Sequence, residues 1–271
     1  MINLCNARRH ATMVAAAAAA TLLAACAGVG GNKPDDSPQA TTQANAEDPA
    51  RYRARIHTEL GANYFQRQQY PVALEELREA IRVDPKYGLA YSVLGMVHAD
   101  LGETGKADAA FQQAISVAPS EGDIRNNYGS YLCRQNRSKE GLEQFDAALR
   151  QPLYQTPHLA LENAGFCALA SGQLKAAEGY FARLTQFAPM SSRGYQGLAA
   201  IAMKTSRFDE VRKQVRMAMS TQPITPDLLY FGVCAERQLG DRVAEDNYLQ
   251  LLKSRFGESP FAARVQKGVC E

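Results

Sequence analysis

The stretch Leu60-Gly61-Ala62-Asn63-Tyr64 decides the fold, because its pattern and that of the residues after it return 34 positions further along the chain. The first copy carries Leu60-Gly61, Tyr64, Ala73, Leu77, Ala80 and Pro85, and the second carries Leu94-Gly95, His98, Ala107, Phe111, Ala114 and Pro119. The small residues let two helix backbones approach closely, and the large apolar ones fill the space between layers. The proline stops the second helix, because its ring clashes with the preceding turn and it lacks an amide hydrogen. The pattern therefore predicts a repeating pair of antiparallel helices and an all-α fold.

The same pattern continues to the end of the chain. Six units can be aligned, and they begin at Ala54, Gly88, Gly122, His158, Ser192 and Thr225. Two residues are added between the third and fourth units, and the fifth and sixth match the pattern less well. We therefore assign six repeats to residues 52–259. Residues 260–271 are predicted to form a capping helix in which Phe261, Ala262 and Val265 cover the apolar end of the stack.

A helix-turn-helix unit of this period resembles the tetratricopeptide repeat. The resemblance implies a right-handed superhelical solenoid whose first helices line a concave groove. Grooves of this kind hold segments of other proteins, so we expect binding to a protein partner rather than catalysis.

The beginning of the chain resembles a secretory leader. Arg8 and Arg9 precede an apolar run over residues 11–23, which is too short to span a bilayer. The tetrapeptide Leu23-Ala24-Ala25-Cys26 then resembles a bacterial lipobox, so residues 1–25 are assigned to a signal peptide and Cys26 to lipid attachment. An ordinary signal peptide cut after an Ala-x-Ala triplet is the alternative. Residues 26–51 are poor in apolar side chains and are predicted to form a disordered tether.

The lipobox and the charge balance suggest where the protein acts. Ala27 follows the lipidated cysteine, and under the enteric sorting rule this points to the outer membrane, on its periplasmic face. Without the leader the chain carries 28 basic and 28 acidic residues. A neutral charge balance gives no reason to expect a nucleic-acid partner. The protein is expected to be attached to the membrane through the lipid alone.

Cysteine usage fits an oxidising compartment. Four cysteines remain beyond residue 26, namely Cys133, Cys167, Cys234 and Cys270. Cys133 and Cys167 fall on first helices of neighbouring repeats, whose axes lie about 8 to 10 Å apart. Side chains facing each other across such a gap can form a disulfide. We predict a bond between Cys133 and Cys167 and a second between Cys234 and Cys270, with four buried free thiols as the alternative.

No pattern of residues in the sequence indicates a catalytic or metal-binding site. The sequence lacks zinc-type Cys and His spacing, a phosphate-binding glycine loop and a nucleophile-elbow motif. Paired carboxylates such as Glu75-Glu76 fall on solvated faces of second helices. We therefore expect no catalytic residues, no metal site, no cofactor and no small-molecule substrate.

The third and fourth repeats contain the segments that differ most from the generic repeat pattern. Residues 126–133 read NNYGSYLC and residues 162–169 read ENAGFCAL, and both segments resemble the type IV pilus biogenesis lipoproteins of the PilW and PilF family. The order of lipobox, polar tether and six repeats matches as well. The resemblance implies a pilotin, a protein that holds the pilus secretin at the outer membrane while its subunits assemble into a ring.

The repeat register also predicts a binding surface. The groove residues expected from it are Arg55, Thr58, Phe65, Ser92, Met96, Asn126, Ser130, Arg134, Glu162 and Asn163. Amide side chains can bond a peptide backbone in both directions, so Asn126 and Asn163 are candidates to clamp a secretin segment. Alternatively, these asparagines only cap or bridge helices. A general adaptor for periplasmic proteases or peptidoglycan enzymes is the competing function, and a lipid-anchored hydrolase is a third.

Overall fold

The computed structural model describes residues 48–221 and 223–270. Within them the chain forms thirteen α-helices and no strand. In chain order these are α1 (Pro49–Gln66), α2 (Tyr70–Val83), α3 (Gly88–Asp100), α4 (Thr104–Val117), α5 (Gly122–Arg134), α6 (Ser138–Leu149), α7 (Pro157–Ala170), α8 (Leu174–Phe187), α9 (Ser192–Lys204), α10 (Phe208–Met219), α11 (Pro226–Leu239), α12 (Arg242–Phe256) and α13 (Pro260–Gln266). The first twelve form six packed pairs, which confirms the predicted repeat fold.

The helices form two layers, which we call inner (α1, α3, α5, α7, α9 and α11) and outer (α2, α4, α6, α8, α10 and α12). Each inner helix packs against the inner helix of the next repeat. Across the described residues, the backbones of successive outer helices do not come into contact. Because the inner helices lie closer together than the outer ones, the stack bends toward its inner layer. The free sides of the inner helices therefore form the concave face.

In five of the six repeats, a glycine on the inner helix lies close against a large side chain on the outer helix, and the fifth repeat has Ala199 in place of this glycine. Phe181 on α8 is fully buried against Gly165 on α7 and Gly197 on α9. A Cβ on Gly165 would lie 2.6 Å from Phe181 Cε1, and one on Gly197 would overlap the same ring. Equivalent contacts pair Gly61 with Leu77, Gly95 with Phe111, Gly129 with Phe145, and Gly232 with Tyr248. The small and large positions of the sequence pattern are thus partners within one repeat.

The turn inside each helix pair contains one residue with a left-handed backbone. These residues are Gln68, Gly102, Asn136, Gly172, Ser206 and Gly240, with φ between 55° and 77°. Three of the six are not glycine, although side chains disfavour this conformation. The conformation is therefore imposed by closure of the helix pair and not by the residue type.

Polar side chains connect the outer layer where the backbones do not touch. The Tyr180 hydroxyl on α8 donates to Asp146 Oδ1 on α6 at 2.9 Å. Burial, followed by this hydrogen bond, raises the pKa of Tyr180 to about 12. The hydroxyl therefore stays protonated at neutral pH. Arg137, just before α6, donates to both Asp108 carboxylate oxygens on α4 at 2.9 Å.

The beginning of the first repeat differs from the prediction by three residues. The predicted tether ended at residue 51, but α1 already begins at Pro49. The Asp48 carboxylate accepts a hydrogen bond from the Ala50 backbone nitrogen at 3.0 Å, and proline is well suited to the first helical position. The signal peptide, Cys26 and the rest of the tether lie outside the described residues.

Helix α13 covers the last repeat. Ala262 and Val265 on α13 are buried, and the Phe261 ring lies 5.4 Å from that of Tyr230. The helix is shorter than predicted, because it ends at Gln266 and the chain turns at Gly268, where φ is +73°.

The structure contains both predicted disulfides. Cys133 on α5 bonds Cys167 on α7, with their Cα atoms 5.8 Å apart. Cys234 on α11 bonds Cys270 beyond α13, at a Cα separation of 5.4 Å. Gly141 on α6 makes room for the first bond, because a Cβ there would lie 2.5 Å from Cys133 Sγ. Each disulfide joins elements that are adjacent in the stack.

None of the helices in residues 48–221 and 223–270 combines the length and the apolar character needed to cross a bilayer.

The contact between glycine and aromatic ring predicts a difference between two glycines. Gly197→Ala forces a methyl group into the Phe181 ring and is expected to lower the free energy of unfolding by about 1–3 kcal/mol. Gly179→Ala on α8 is the control, since a Cβ there meets nothing within 4 Å and removal of a helical glycine stabilises by about 0.5–1 kcal/mol. Urea denaturation followed by circular dichroism measures both. Equal effects of the two changes would show that the glycine contact is unimportant.

The disulfides predict a large dependence of stability on oxidation. Replacing Cys133 and Cys167 together by Ala should lower the free energy of unfolding by about 2–4 kcal/mol, because the bond closes a long loop in the unfolded chain. The pair Cys234 and Cys270 is the comparison, since it spans 36 residues against 34 for the first pair. A denaturation curve that does not move when reducing agent is added to the unaltered protein would contradict this expectation.

Candidate functional site

The concave face is crossed by side-chain bonds between successive inner helices. We call the part formed by α3, α5 and α7 the central groove, and it contains the two segments that the sequence singles out. Residues at the ninth position of each repeat form a row across it, namely Met96 on α3, Ser130 on α5 and Phe166 on α7. Both the methionine and the phenylalanine are half-buried, so the row places a small residue between two large apolar ones.

The centre of this groove is the junction of α5 and α7. Asn163 Nδ2 on α7 donates to Asn126 Oδ1 on α5 at 3.0 Å. Two turns further along α5, the disulfide from Cys133 to Cys167 joins the same two helices. Asp123 near the start of α5 accepts from the Thr156 hydroxyl, which precedes α7, at 2.8 Å. Two hydrogen bonds and one disulfide, at three positions along the helices, thus connect α5 with α7 and the residue before it.

Two side-chain contacts connect α3 and α5. Asn127 Nδ2 on α5 donates to Ser92 Oγ on α3 at 3.2 Å. At the other end, Arg134 Nη1 donates to Asp100 Oδ1 at 3.3 Å, and both side chains are partly exposed.

The same kind of contact continues from α7 to α11. Arg193 on α9 donates to Glu162 on α7 at 2.8 Å, and its guanidinium carbon lies 4.3 Å from the centre of the Phe166 ring. Gln196, one turn later on α9, donates to Asp227 on α11. The charged groups Arg134, Glu162 and Arg193 of the concave face are therefore paired.

The structure brings together six of the ten predicted groove residues. Met96, Asn126, Ser130, Arg134, Glu162 and Asn163 all lie on the three helices of the central groove. Arg55 and Phe65 lie on α1, one repeat away, where Arg55 Nη1 donates to Glu59 at 3.0 Å and the Phe65 ring lies 6.2 Å from Tyr70.

Two of the predicted groove residues are wrong as direct contacts. Thr58 is buried and its hydroxyl donates to the Ala54 carbonyl of its own helix at 2.8 Å. Ser92 is fully buried, and its hydroxyl accepts a hydrogen bond from Asn127 of the next inner helix. Both positions face the next inner helix, so packing between repeats excludes them from the open surface.

The asparagines follow the alternative interpretation, since each bonds a side chain on a neighbouring inner helix. Asn126 is also mostly buried. The pair nevertheless uses only one donor and one acceptor, so the Asn163 oxygen and the Asn126 amide nitrogen have no partner among the described residues. The bridge therefore does not exclude a ligand.

Two groove residues were missed by the sequence analysis, namely Phe166 and Arg193. They occupy the ninth position of the fourth unit and the second position of the fifth unit. The register that selected Met96 and Asn126 would have selected them too.

Within the described residues, no group of three or more His, Cys, Asp or Glu side chains is arranged to hold a metal ion.

Comparisons with known proteins agree with this architecture. The family described as TPR repeat matches residues 61–102, and that described as tetratricopeptide repeat matches residues 93–154. The type IV pilus assembly protein PilF of Pseudomonas aeruginosa is 30% identical over 135 residues, which cover 49% of this chain and 54% of PilF. The match thus spans about half the length of that relative.

Solved structures extend the similarity over most of the chain. The crystal structure of PilW, a widely conserved type IV pilus biogenesis factor, is 31% identical, with a TM-score of 0.68 over 79% of this chain and 98% of PilW. A structure of Pseudomonas aeruginosa PilF is 22% identical, with a TM-score of 0.70 over 82% of this chain and all of that one, and shows the shared fold. Since the PilW relationship covers nearly the whole of that structure at this identity, the chain belongs to the PilW and PilF family of tetratricopeptide-repeat proteins of type IV pilus biogenesis.

Proposed function

We propose that this protein acts as a pilotin in type IV pilus biogenesis, binding a segment of the pilus secretin in the central groove. The observation that carries the proposal is the junction of α5 and α7, where the disulfide and the asparagine bridge hold two inner helices together. Segments 126–133 and 162–169, which carry the resemblance to the family, form this junction.

A bound peptide would find both polar and apolar contacts there. The Asn163 oxygen accepts a backbone amide of the peptide, and the Asn126 nitrogen donates to a backbone carbonyl. Met96 and Phe166 offer apolar surface on either side of Ser130, which suits side chains of an extended segment. The disulfide keeps these groups at a constant spacing, so little conformational freedom is lost on binding.

The proposed location rests on the leader. A lipid on Cys26 would anchor the protein, and Ala27 beside it favours the outer membrane, with the repeats facing the periplasm. In this proposal, the groove lies in the compartment through which secretin subunits pass before they insert.

A bulky substitution in the groove tests the proposal. Ser130→Arg places a long side chain between Met96 and Phe166 and should lower recovery of the secretin by at least about tenfold, since the peptide loses its central contact. The matched control is Ser116→Arg, at an exposed position of the outer helix α4. Recovery is measured by crosslinking in membranes, followed by affinity purification and identification of the partner. Circular dichroism of both variants checks that they are folded.

Unchanged secretin recovery by a folded Ser130→Arg variant would rule out the central groove as the binding site. Recovery of peptidoglycan enzymes or proteases alone, with no secretin, would rule out the pilotin function and favour the general adaptor.

The anchor has its own test. Cells labelled with radioactive palmitate should incorporate the label into the unaltered protein and into Cys5→Ala, whose cysteine lies within the leader. Cys26→Ala should incorporate none, because the thiol that carries the lipid is missing. Label retained by Cys26→Ala would overturn the lipobox assignment.

A further inference from the structure

A second concave site lies at the C-terminal end of the stack, between α9, α11 and α13. It is a cavity of about 520 Å³, which we call the C-terminal pocket. Cavities of about 300–1,000 Å³ are typical of ligand-binding sites. The side chains that matter here are Met203, Lys204, Phe208, Phe231, Phe261 and Arg264. None of them belongs to the central groove.

The base of the pocket is aromatic. Tyr230 on α11 is buried, with the Phe231 ring 5.9 Å and the Phe261 ring 5.4 Å from its own. Phe231, Phe261 and Met203 are only half-buried, so part of their apolar surface faces the cavity. A large apolar side chain entering the pocket would cover this surface and gain the free energy of its burial.

Basic side chains line the pocket. Among the described residues, the charged side chains that line it are Lys204 and Arg264, and none is acidic. Lys204 is exposed and forms no ion pair with any residue in the described part of the chain. The Arg264 guanidinium carbon lies 4.8 Å from the centre of the Tyr230 ring, which orients this side chain over the base of the pocket.

One wall of the pocket depends on the second disulfide. Cys270 lines the cavity and bonds Cys234 on α11, while Arg237 Nη1 donates to Cys270 Sγ at 3.6 Å. The helix α13 has only seven residues, too few to be stable alone. The bond therefore holds α13, with Phe261 and Arg264, against the last repeat.

We propose that the C-terminal pocket binds an acidic peptide segment of a partner protein. One large apolar side chain of the segment enters the aromatic cavity, and a carboxylate beside it contacts Lys204. Charge complementarity selects an acidic segment, because Lys204 attracts a carboxylate and repels a basic side chain. A concave cavity between three helices fits a protruding side chain of a peptide and not the flat surface of a membrane. This site is independent of the secretin-binding proposal, since the two share no residue.

A labelled peptide tests the inference on the full-length protein in lipid nanodiscs. The probe is a fluorescein-labelled ten-residue peptide with one Phe between two Asp, and fluorescence anisotropy measures its binding. Lys204→Glu should weaken binding by about fivefold or more, since an attractive charge becomes repulsive. Lys253→Glu, at an exposed position of α12, makes the same change of net charge away from the pocket and should leave binding unaltered. Peptides with Lys for each Asp, or Ala for Phe, should bind at least about fivefold more weakly.

Methionine methyl groups locate the bound peptide. With methyl-labelled methionine, the Met203 signal should shift on addition of the peptide, whereas Met96 in the central groove and the exposed Met190 and Met217 should not. Replacing Cys234 and Cys270 by Ala should weaken binding, and replacing Cys133 and Cys167 should not.

Several results would overturn the inference. These are absence of peptide binding, binding that shifts Met96 and not Met203, equal effects of Lys204→Glu and Lys253→Glu, and self-association of the protein through this surface. A shift of Met96 alone would assign the peptide to the central groove, so the two proposals can fail separately.

Discussion

The structure depends on close contacts between glycines of the inner helices, which have no Cβ, and large side chains of the outer helices. Phe181 shows the constraint most clearly, because one ring lies against Gly165 in its own repeat and Gly197 in the next. A ring in this position sets the distance between helices within a repeat and between repeats. Since interiors are packed as densely as crystals, neither partner can change size alone.

This packing also determines where binding can occur. Large outer-helix side chains hold the outer helices apart, while inner helices lie close enough for side chains such as Asn126 and Asn163 to bond each other. The concave face is therefore a continuous surface on which many polar side chains already bond one another. A ligand there must use the remaining capacity of these groups together with apolar side chains such as Met96, rather than an unpaired charge.

Much of this could be predicted from local patterns. Helix pairs, their number, the small and large positions and the disulfide from Cys133 to Cys167 follow from spacing, because residues one period apart occupy neighbouring places on adjacent helices. The pairing of Cys234 with Cys270 does not, since Cys270 lies beyond the repeats. Predictions of exposure were less accurate. Ser92 sits at a position expected to line the groove, yet it is fully buried, since Asn127 of the next repeat lies over it. Lys204 lies at a groove position of the fifth repeat, but it lines the C-terminal pocket because α13 packs nearby. The repeat period does not predict where α13 lies.

The sequence by itself determined the repeat, its register and the family, because each is encoded in residue types at regular spacing. The tertiary structure alone decided which groove positions stay open and that a cavity forms at the end of the stack. Those properties depend on side chains from helices far apart in the chain. The C-terminal pocket needs the end of α9, the middle of α11 and a short helix held by Cys270, and only folding brings the three together.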